Sequence, residues 1–471
     1  MDKIRPYSLA KEPSRATAEF DRGTLRILLG TDSPPPDFFE SLGLTWDPRT
    51  RHWRTLAFRS RVMAERLDAK AAIDFSALGR KYLPLGEIQS RELRPYQTES
   101  LVAWASAGYR GIIEMPTGAG KTRVGLAAIA MTTAPTLVLA PTRVLVEQWV
   151  RSIREVYSGV VGVMGDGQKS LGGITVATFE SAYRLMAKIG DHFRLLIIDE
   201  VHHFGEALRD ECLKMSMAPM RMGLTATLGS EVGKREVLRE LVGDPVFQVS
   251  MRDLAGKFLA PFEHEVVELP LSAKERLRYD DACHVFNNIK KAYMKSGPSG
   301  TKTKEDWVRF LRVTEEGRRA AMILRRARSL AGLTSAKLVF VRNRLEEWRH
   351  RKILMFVGSA HHAFHIAKTL LVPCLTGDIE RKERNHLIDD FLHGRVGALV
   401  TCKVLNEGFD LPSADVALIL SAQQSARDQI QRVGRVLRPA VGKRANIVEL
   451  VSRGTYEVTR NRSMASNILA S

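Results

Sequence analysis

The sequence has few cysteines and no long apolar run, and these absences exclude several classes of protein. The four cysteines (Cys212, Cys283, Cys374 and Cys402) form no CxxC pair and have no histidine at finger-like spacing. Neither a disulfide scaffold nor a structural zinc site is therefore expected. No apolar run approaches the ~20 residues that a membrane span needs, and residues 1–6 lack the apolar core of a secretory leader. We expect a cytoplasmic protein with no membrane partner.

Acidic residues are scarce relative to basic ones. The chain has 53 Asp and Glu against 71 Lys and Arg, a formal charge of +18 and a pI near 9.9. This excess favours a polyanionic partner such as nucleic acid, although a basic enzyme that merely stays soluble has the same composition. With 471 residues, the chain is long enough for about three domains.

Short β-branched and aliphatic runs recur in two series, with amphipathic helical stretches between them. The first series predicts strands at residues 111–114, 136–139, 174–177, 195–198 and 222–225. The second predicts strands at residues 353–357, 372–375, 398–401, 416–420 and 446–450. Such alternation is typical of parallel sheets wrapped by helices. The expected fold class is α/β, with two tandem doubly wound domains.

Two further regions differ from this pattern. Residues 20–75 predict two or three strands followed by a helix from about Ser60, which indicates a small α+β domain. Residues from about 262 to 350 look helical and are dense in Arg and Lys. The expected domains are a small α+β domain (1–85), a first α/β domain (86–250), a basic helical linker (251–345) and a second α/β domain (346–471).

The segment Met115–Thr122 has the composition and context of a phosphate-binding loop. It follows a predicted strand and opens a predicted helix, where backbone N–H groups can surround phosphates. Lys121 is expected to reach the β- and γ-phosphates of ATP, and Thr122 to bind Mg²⁺. The loop's backbone contacts to phosphate are assigned to Gly118, Ala119 and Gly120. An ordinary glycine-rich turn is the alternative interpretation of this segment.

The pair Asp199-Glu200 ends an apolar run 78 residues after Lys121. In a parallel sheet, these carboxylates would emerge at the C-terminal edge beside the loop. Asp199 is expected to hold Mg²⁺ and Glu200 to orient or deprotonate the attacking water. An isolated Asp-Glu pair is usually part of a solvated loop, and the distance to the phosphate loop favours the catalytic interpretation.

Together these segments make the chain resemble a superfamily 2 helicase from about Leu93 to Gly454. The resemblance implies two RecA-like motor domains that use ATP and Mg²⁺. It assigns Arg94 and Gln97 to adenine, and residues 225–227 to the link between hydrolysis and strand binding. Contacts to the phosphates of the strand are implied for the segments that contain Arg143, Gln148, Trp149, Thr178 and Ser181.

Two segments of the second half resemble the late helicase motifs, namely Val404–Asp410 and Gln431–Arg438. The resemblance implies that arginine fingers are present, because a guanidinium presented to a γ-phosphate across a closing cleft stabilises the transition state. Taken alone, an arginine run on a helix is ordinarily a solvated face. The resemblance assigns catalytic roles to Arg435 and Arg438, and nucleotide-binding roles to Asp410 and Gln431.

Within the superfamily, the chain resembles the XPB branch, especially its short archaeal forms. The residues that carry this resemblance are 199–203, 223–227, 253–257 with 259–260, and 431–439. It implies a damage-recognition domain at the N-terminus and a helical thumb that grips DNA. DNA contacts are implied for Trp46, Trp53, Arg49, Arg51 and Arg54 in the first, and for Lys302, Lys304, Arg309, Arg312, Arg318 and Arg319 in the second. Core aromatics with a basic rim are the alternative for the two tryptophans.

The family implies ATP-dependent unwinding of DNA with 3′ to 5′ polarity, in nucleotide excision repair. The expected partner is single-stranded, forked or duplex DNA rather than RNA, with a partner nuclease. One departure bears on unwinding: where the family carries an Arg-Glu-Asp triplet implicated in strand separation, this chain has Ser230-Glu231-Val232. The departure favours a double-stranded DNA translocase as one alternative. A nucleotide-switched clamp that recruits a nuclease is the other.

Overall fold

The computed structural model describes residues 16–30, 33, 35–68, 73–74, 78, 82–165, 167–206, 208–229, 231–258, 260–296, 302–402, 414–421 and 444–458. These residues fall into two compact units. The first lies within Met1–Met115 and Gly120–Val249, and the second within Pro116–Ala119 and Ser250–Ser471. None of the described helices is both long and apolar enough to cross a membrane.

The first unit begins with a small, mainly antiparallel sheet. Its strands are β1 (Ala16–Asp21), β2 (Thr24–Leu28), β3 (Thr45–Asp47), β4 (His52–Leu56) and β5 (Ile73–Asp74), in the order β3-β4-β2-β1-β5. Alternate residues such as Leu25 and Ile27 enter its core, as the period of two in a half-buried strand requires. Helices α1 (Pro36–Ser41) and α2 (Ser60–Asp68) complete it. The α+β prediction is confirmed, with more strands than expected.

The small sheet packs directly on the larger sheet of the same unit. Phe58 lies in the core of the larger sheet, with the guanidinium of Arg221 6.0 Å from its ring centre. The Ser60 hydroxyl donates to the Met217 carbonyl (3.3 Å). Gly23, at φ 86°, lies so close to Met215 that a Cβ atom would be 2.3 Å from its Cγ. The two sheets therefore keep separate apolar cores and are joined by Phe58, Ser60 and Gly23.

The larger sheet carries the five predicted strands of the first series, which are confirmed, and three more. Its strands are β6 (Arg110–Glu114), β7 (Thr136–Ala140), β8 (Val161–Gly165), β9 (Gln168–Lys169), β10 (Ile174–Thr178), β11 (Leu195–Asp199), β12 (Met220–Thr225) and β13 (Pro245–Gln248). Their order is β13-β6-β12-β11-β7-β10-β8-β9, and all neighbours are parallel except β8 and β9. The helices are α3 (Pro95–Ser106), α4 (Lys121–Thr132), α5 (Arg143–Arg154), α6 (Phe179–Ile189), α7 (Glu211–Lys214) and α8 (Val232–Leu241).

The second unit contains another parallel sheet. Its strands are β14 (Phe262–Leu269), β15 (Ile353–Phe356), β16 (Cys374–Leu375), β17 (Ala398–Thr401), β18 (Val416–Ile419) and β19 (Ala445–Ser452), in the order β14-β19-β18-β15-β17-β16. One expectation was wrong: β14 lies where the sequence predicted helix. It pairs with β19 along eight residues as an edge strand, and its mixture of Glu, His and Val has no buried residue.

Helices dominate the remainder of the second unit. They are α9 (Met251–Leu254), α10 (Ala273–Lys295), α11 (Lys304–Val313), α12 (Glu315–Gly332), α13 (Ser335–Glu347), α14 (Ala360–Leu370) and α15 (Arg381–Leu392). α10 and α11 begin with capping boxes, at Ser272 and Thr303 respectively, which satisfy N–H groups that lack partners within the helix. α10, α11 and α12 form the basic helical region that the sequence predicted.

A charged pair lies fully inside the second unit. Lys337 donates to the Glu457 carboxylate (2.7 Å) and to the carbonyls of Ala331 (3.0 Å) and Leu420 (2.6 Å). Both charged side chains are 0% exposed. Burial lowers the pKa of Lys337, and the charge of Glu457 opposes that shift. Glu457 also accepts the Ser452 N–H (3.0 Å), so the pair joins two helices, two strands and the chain beyond β19.

Candidate active site

The loop between β6 and α4 has the backbone of a phosphate-binding turn. Gly118 and Gly120 have φ of 90° and 87°, a region that L side chains rarely adopt. A Cβ on Gly120 would also lie 2.4 Å from the Gln97 amide nitrogen. Lys121 begins α4, and its ammonium donates to the Met115 carbonyl (3.2 Å). The lysine is thus folded back over the loop, where it can reach a bound phosphate.

Arg94 and Gln97 close the start of α3 next to this loop. The Arg94 N–H donates to the Gln97 carboxamide oxygen (3.0 Å), and Gln97 is buried. Ala119 lies inside the loop, where its N–H donates to the Pro116 carbonyl (3.2 Å). Gln97 therefore packs against the loop at Gly120, and its contact with adenine stays a prediction.

Asp199 and Glu200 stand at the C-terminal end of β11, as the sequence predicted. One Asp199 oxygen accepts the Glu200 N–H (3.1 Å), and the other accepts the indole N–H of Trp149 (2.9 Å). Glu200 has a left-handed backbone, at φ 52°, a conformation that costs a non-glycine residue about 1 kcal/mol or more. Trp149 belongs to a segment for which strand contacts were predicted, but its own ring is buried on the inner face of α5; the contacts of the segment stay a prediction.

The two carboxyl groups experience different electrostatic surroundings. Burial, and then the charge of Glu200, raises the pKa of Asp199. Burial acts on Glu200 as well, but the charges of Lys121 and His202 outweigh it and lower the pKa of Glu200. Glu200 is therefore ionised at neutral pH, the form that a general base requires. A metal ion bound at Asp199 would favour its ionised form and oppose this shift.

The residues at this edge fit Mg²⁺ and an attacking water. The Asp199 carboxylate and Thr122 hydroxyl are the oxygen ligands that Mg²⁺ prefers. Among the described residues, the buried Glu200 Oε2 makes no hydrogen bond of good geometry, and its contact with His202 Nδ1 (3.3 Å) leaves a lone pair that can hold a water. When bound, Mg²⁺ would neutralise charge on the phosphates.

His202 connects the carboxylates to the end of β12, a link that the sequence analysis missed. Its Nδ1 lies 3.0 Å from the Thr225 hydroxyl and 3.3 Å from Glu200 Oε2. The Thr225 hydroxyl in turn donates to the Thr227 carbonyl (2.9 Å). The prediction that residues 225–227 couple hydrolysis to strand binding is untested, but His202 gives them a direct contact with the catalytic edge. The histidine in the Asp-Glu-Val-His run was the available signal.

A cavity of about 650 Å³ opens beside this edge. Its lining brings together three of the residues for which strand contacts were predicted, Arg143, Thr178 and Ser181. Thr178 caps α6, and its hydroxyl donates to that of Ser181 (2.9 Å) and accepts the Ser181 N–H (3.2 Å). Gln168 and Lys169 of the β8–β9 hairpin also line the cavity. The sequence analysis missed this hairpin because its strands are short and flanked by glycine.

Comparisons with known proteins match both halves of the chain. Residues 90–230 match the family of the type III restriction enzyme res subunit, and residues 336–440 match the helicase conserved C-terminal domain. A protein of Sulfurisphaera tokodaii, the DNA 3′-5′ translocase XPB2, is 33% identical over 89% of this chain and 95% of its own length. The chain belongs to the XPB family.

Other relatives and solved structures agree with this assignment. The DNA 3′-5′ helicase XPB of Kineococcus radiotolerans is 28% identical over 79% of this XPB-family chain, which spans 63% of that protein's length. The helicase domain of Pyrococcus furiosus Hef superposes with a TM-score of 0.53 at 20% identity, covering 79% of this chain and 98% of that one. This structural likeness supports the fold of two RecA-like domains. The chain is thus a member of a helicase family, with an ATP-driven motor fold.

Several predicted residues of this XPB-family member lie outside the described residues. The match to the helicase C-terminal domain, residues 336–440, spans all of their positions except Ser230, and their roles stay predictions. They are Ser230, the segments Val404–Asp410 and Gln431–Arg438, and within these segments Asp410, Gln431, Arg435 and Arg438.

The prediction that Trp53 contacts DNA was wrong. Trp53 is 4% exposed and stacks on Phe39, with ring centres 5.4 Å apart, so no face of its ring is open to a base. Trp46, on the edge strand β3, is 39% exposed and packs against Trp53 at 5.4 Å. Trp53 is therefore a core aromatic, as the alternative interpretation expected, whereas Trp46 is on the surface.

In the helical region, Lys302 is engaged within the protein. Its ammonium lies 3.7 Å from the ring centre of Tyr293, and it donates to the Tyr293 carbonyl and to the Ser296 hydroxyl. These contacts tie the end of α10 to the residues before α11, so the predicted role of Lys302 in binding DNA does not fit its geometry. Lys304 begins α11 and Arg309 is exposed on it. Their contacts with DNA stay predictions.

Proposed function

We propose that this XPB-family chain hydrolyses ATP with Mg²⁺ to move along DNA with 3′ to 5′ polarity, and that it separates strands as a helicase. One observation carries the proposal: the nucleotide residues and the cavity share one edge of one sheet. Thr178, Asp199 and Thr225 end the parallel strands β10, β11 and β12, and the phosphate loop follows β6, the next strand in that sheet. Ligands of such sheets bind at the carboxyl ends of their strands.

Each residue at this edge has a distinct task in the proposed cycle. Lys121 and the loop N–H groups bind the phosphates, while Thr122 and Asp199 hold the metal ion. Glu200 orients the attacking water and accepts its proton. Arg143, Thr178 and Ser181 contact phosphates of the strand, which makes binding tolerant of sequence and sensitive to salt.

ATP hydrolysis with different nucleic acids tests this proposal. The wild type would be assayed without nucleic acid and with single-stranded DNA, duplex, forked DNA and RNA, alongside displacement of a strand from a 3′-tailed fork. We expect stimulation by DNA and strand displacement. Lys121→Ala should abolish hydrolysis, and Glu200→Gln should keep ATP binding and lower turnover by about 100-fold or more. Stimulation by RNA alone would refute the proposed substrate.

A translocase that opens no duplex is the second candidate. Two observations favour it: Ser230-Glu231-Val232 stands where the strand-separating triplet is expected, and the XPB2 relative is called a translocase. In the structure, Glu231 precedes α8 and Val232 is exposed at its start. Stimulation by duplex DNA without strand displacement would select this candidate, and displacement of a triplex-forming strand would measure its movement.

The setting we propose is nucleotide excision repair beside a partner nuclease. A motor requires turnover for its output, whereas a nucleotide-switched clamp requires only binding. Glu200→Gln separates the two: if this variant still recruits nuclease activity to DNA at the wild-type level, the chain acts as a clamp. Loss of that activity supports the motor.

A further inference from the structure

Trp149 is the only side chain hydrogen-bonded to Asp199 among the residues that the structure describes. It lies on the buried face of α5 with Val146, Val150 and Ile153 and is 1% exposed. Its indole N–H is a single donor with a fixed direction, and it meets Asp199 Oδ2 at 2.9 Å. Because the Glu200 N–H meets the other oxygen (3.1 Å), the carboxylate plane is held at both ends. Each oxygen keeps a second lone pair for another ligand.

The far edge of the same ring touches the helix of the phosphate loop. A Cβ on Gly125 would lie 2.6 Å from Trp149 Cη2 and 3.3 Å from Cζ3. Gly125 is one turn after Lys121 on α4, so only a glycine at this position lets the ring approach the helix so closely. Trp149 therefore bridges the two elements that carry the proposed Mg²⁺ ligands, α4 with Thr122 and β11 with Asp199.

A tryptophan that only filled the core would not need this geometry, and the same unit supplies the comparison. Trp104 is 0% exposed, and its indole N–H donates to the Arg221 carbonyl (2.8 Å). It has the same burial and an equivalent hydrogen bond, but its partner is backbone. The indole N–H of Trp149 instead donates to the Asp199 carboxylate, an arrangement typical of groups that orient metal ligands.

We infer that Trp149 is a positioning residue for Mg²⁺: it orients the Asp199 carboxylate and sets its distance from Thr122. The inference rests on the proposed Mg²⁺-dependent hydrolysis of ATP, and not on the identity of the nucleic acid. Loss of the indole N–H should weaken binding of the metal in the nucleotide complex by about 10- to 100-fold, as for other residues that support metal ligands. Binding of nucleotide without metal should be unchanged, because the hydrogen bond of Trp149 goes to the proposed metal ligand Asp199 and not to the phosphate loop.

The test measures Mn²⁺ binding by electron paramagnetic resonance, on the full chain with a non-hydrolysable ATP analogue and no nucleic acid. Trp149→Phe removes the donor and part of the ring. A second variant carries benzothienylalanine at position 149, which replaces the N–H by sulfur and keeps the shape of the ring. Trp104→Phe is the matched control, since it loses an equivalent buried indole hydrogen bond in the same unit. Affinity for the fluorescent analogue mant-ATP in EDTA is measured for all proteins.

We expect both changes at position 149 to weaken Mn²⁺ binding and to raise the Mg²⁺ concentration that gives half-maximal ATPase activity. Trp104→Phe should leave both within about twofold of the wild type. Wild-type affinity in the benzothienylalanine protein, or an equal shift in Trp104→Phe, would overturn the inference. Because no nucleic acid is present, a failure of the proposed function on DNA appears in the stimulation assay, while a failure of this inference appears in the metal titration.

Discussion

Lys337→Met removes the cation from the buried pair of the second unit and keeps all but the last atom of the side chain's length. The Glu457 carboxylate then stays at 0% exposure without its countercharge, and the Leu420 carbonyl loses a 2.6 Å hydrogen bond. Removing one partner of a buried pair costs about 3–5 kcal/mol, because an uncompensated charge remains inside. For a unit of this size, about 2–4 °C of Tm accompanies each kcal/mol, so the Tm of the second unit should fall by roughly 6–20 °C.

Differential scanning calorimetry of the full chain measures this change, with the transition of the first unit as the internal reference. Lys368→Met is the matched control: Lys368 is an exposed lysine in the same unit, and its loss should change stability by less than about 0.5 kcal/mol. The double variant Lys337→Met/Glu457→Gln should recover much of the loss, because it buries no net charge. If Lys337→Met unfolds within about 1 kcal/mol of the wild type, or if the double variant is no more stable, the pair does not have the role assigned to it.

Three further predictions concern other parts of the molecule. Trp53→Ala should destabilise the small sheet by about 3–5 kcal/mol. Trp46→Ala should leave the melting temperature of the small sheet nearly unchanged and weaken DNA binding, which fluorescence anisotropy measures. Equal losses of stability in the two variants would contradict the assignment of Trp53 to the core and Trp46 to the surface. Lys169→Ala should reduce the steepness of the plot of log DNA-binding constant against log salt concentration by about one, the value for one lost phosphate contact. An unchanged slope would show that the β8–β9 hairpin does not contact DNA. Burial, and then the charges of His361 and Lys337, lowers the pKa of His362 to about 4. Because the unfolded chain binds this proton at a higher pH than the folded chain, the free energy of unfolding should fall as the pH drops from about 6.5 to about 4. In urea titrations, His362→Gln should make the free energy of unfolding less dependent on pH over this range.

The strands and the catalytic edge were predictable because apolar runs and motif spacing encode them locally. β11 consists of four apolar residues followed by Asp199. Such a run predicts a buried strand, and Asp199 then lies at the edge of the sheet. β14 has no such run. Its residues alternate with Glu and His because it lies at an edge where neither face is fully covered, and only its pairing with β19 defines it as a strand.

Side-chain direction was the part of the site that sequence could not supply. Trp149 and Trp53 sit in segments with the expected motifs or composition, yet both rings point inward, toward Asp199 and Phe39 respectively. In the sequence, Lys302 is one of many cations in a basic region. In the structure, its ammonium contacts the Tyr293 ring and donates to the Tyr293 carbonyl and the Ser296 hydroxyl. These outcomes depend on which helix face or strand face is covered by residues distant in sequence, and a motif does not record that.

The contact of Phe58 with the larger sheet also bears on how the chain folds during synthesis. The ribosome makes the small sheet first, but the surface that covers Phe58 includes residues near Met217, about 157 positions later than Ser60. At roughly 5–20 residues per second, the face that carries Phe58 waits on the order of 10–30 seconds for its partner. During that interval the nascent chain presents an aromatic side chain that the finished protein hides, and chaperones that bind exposed apolar segments have their best opportunity there.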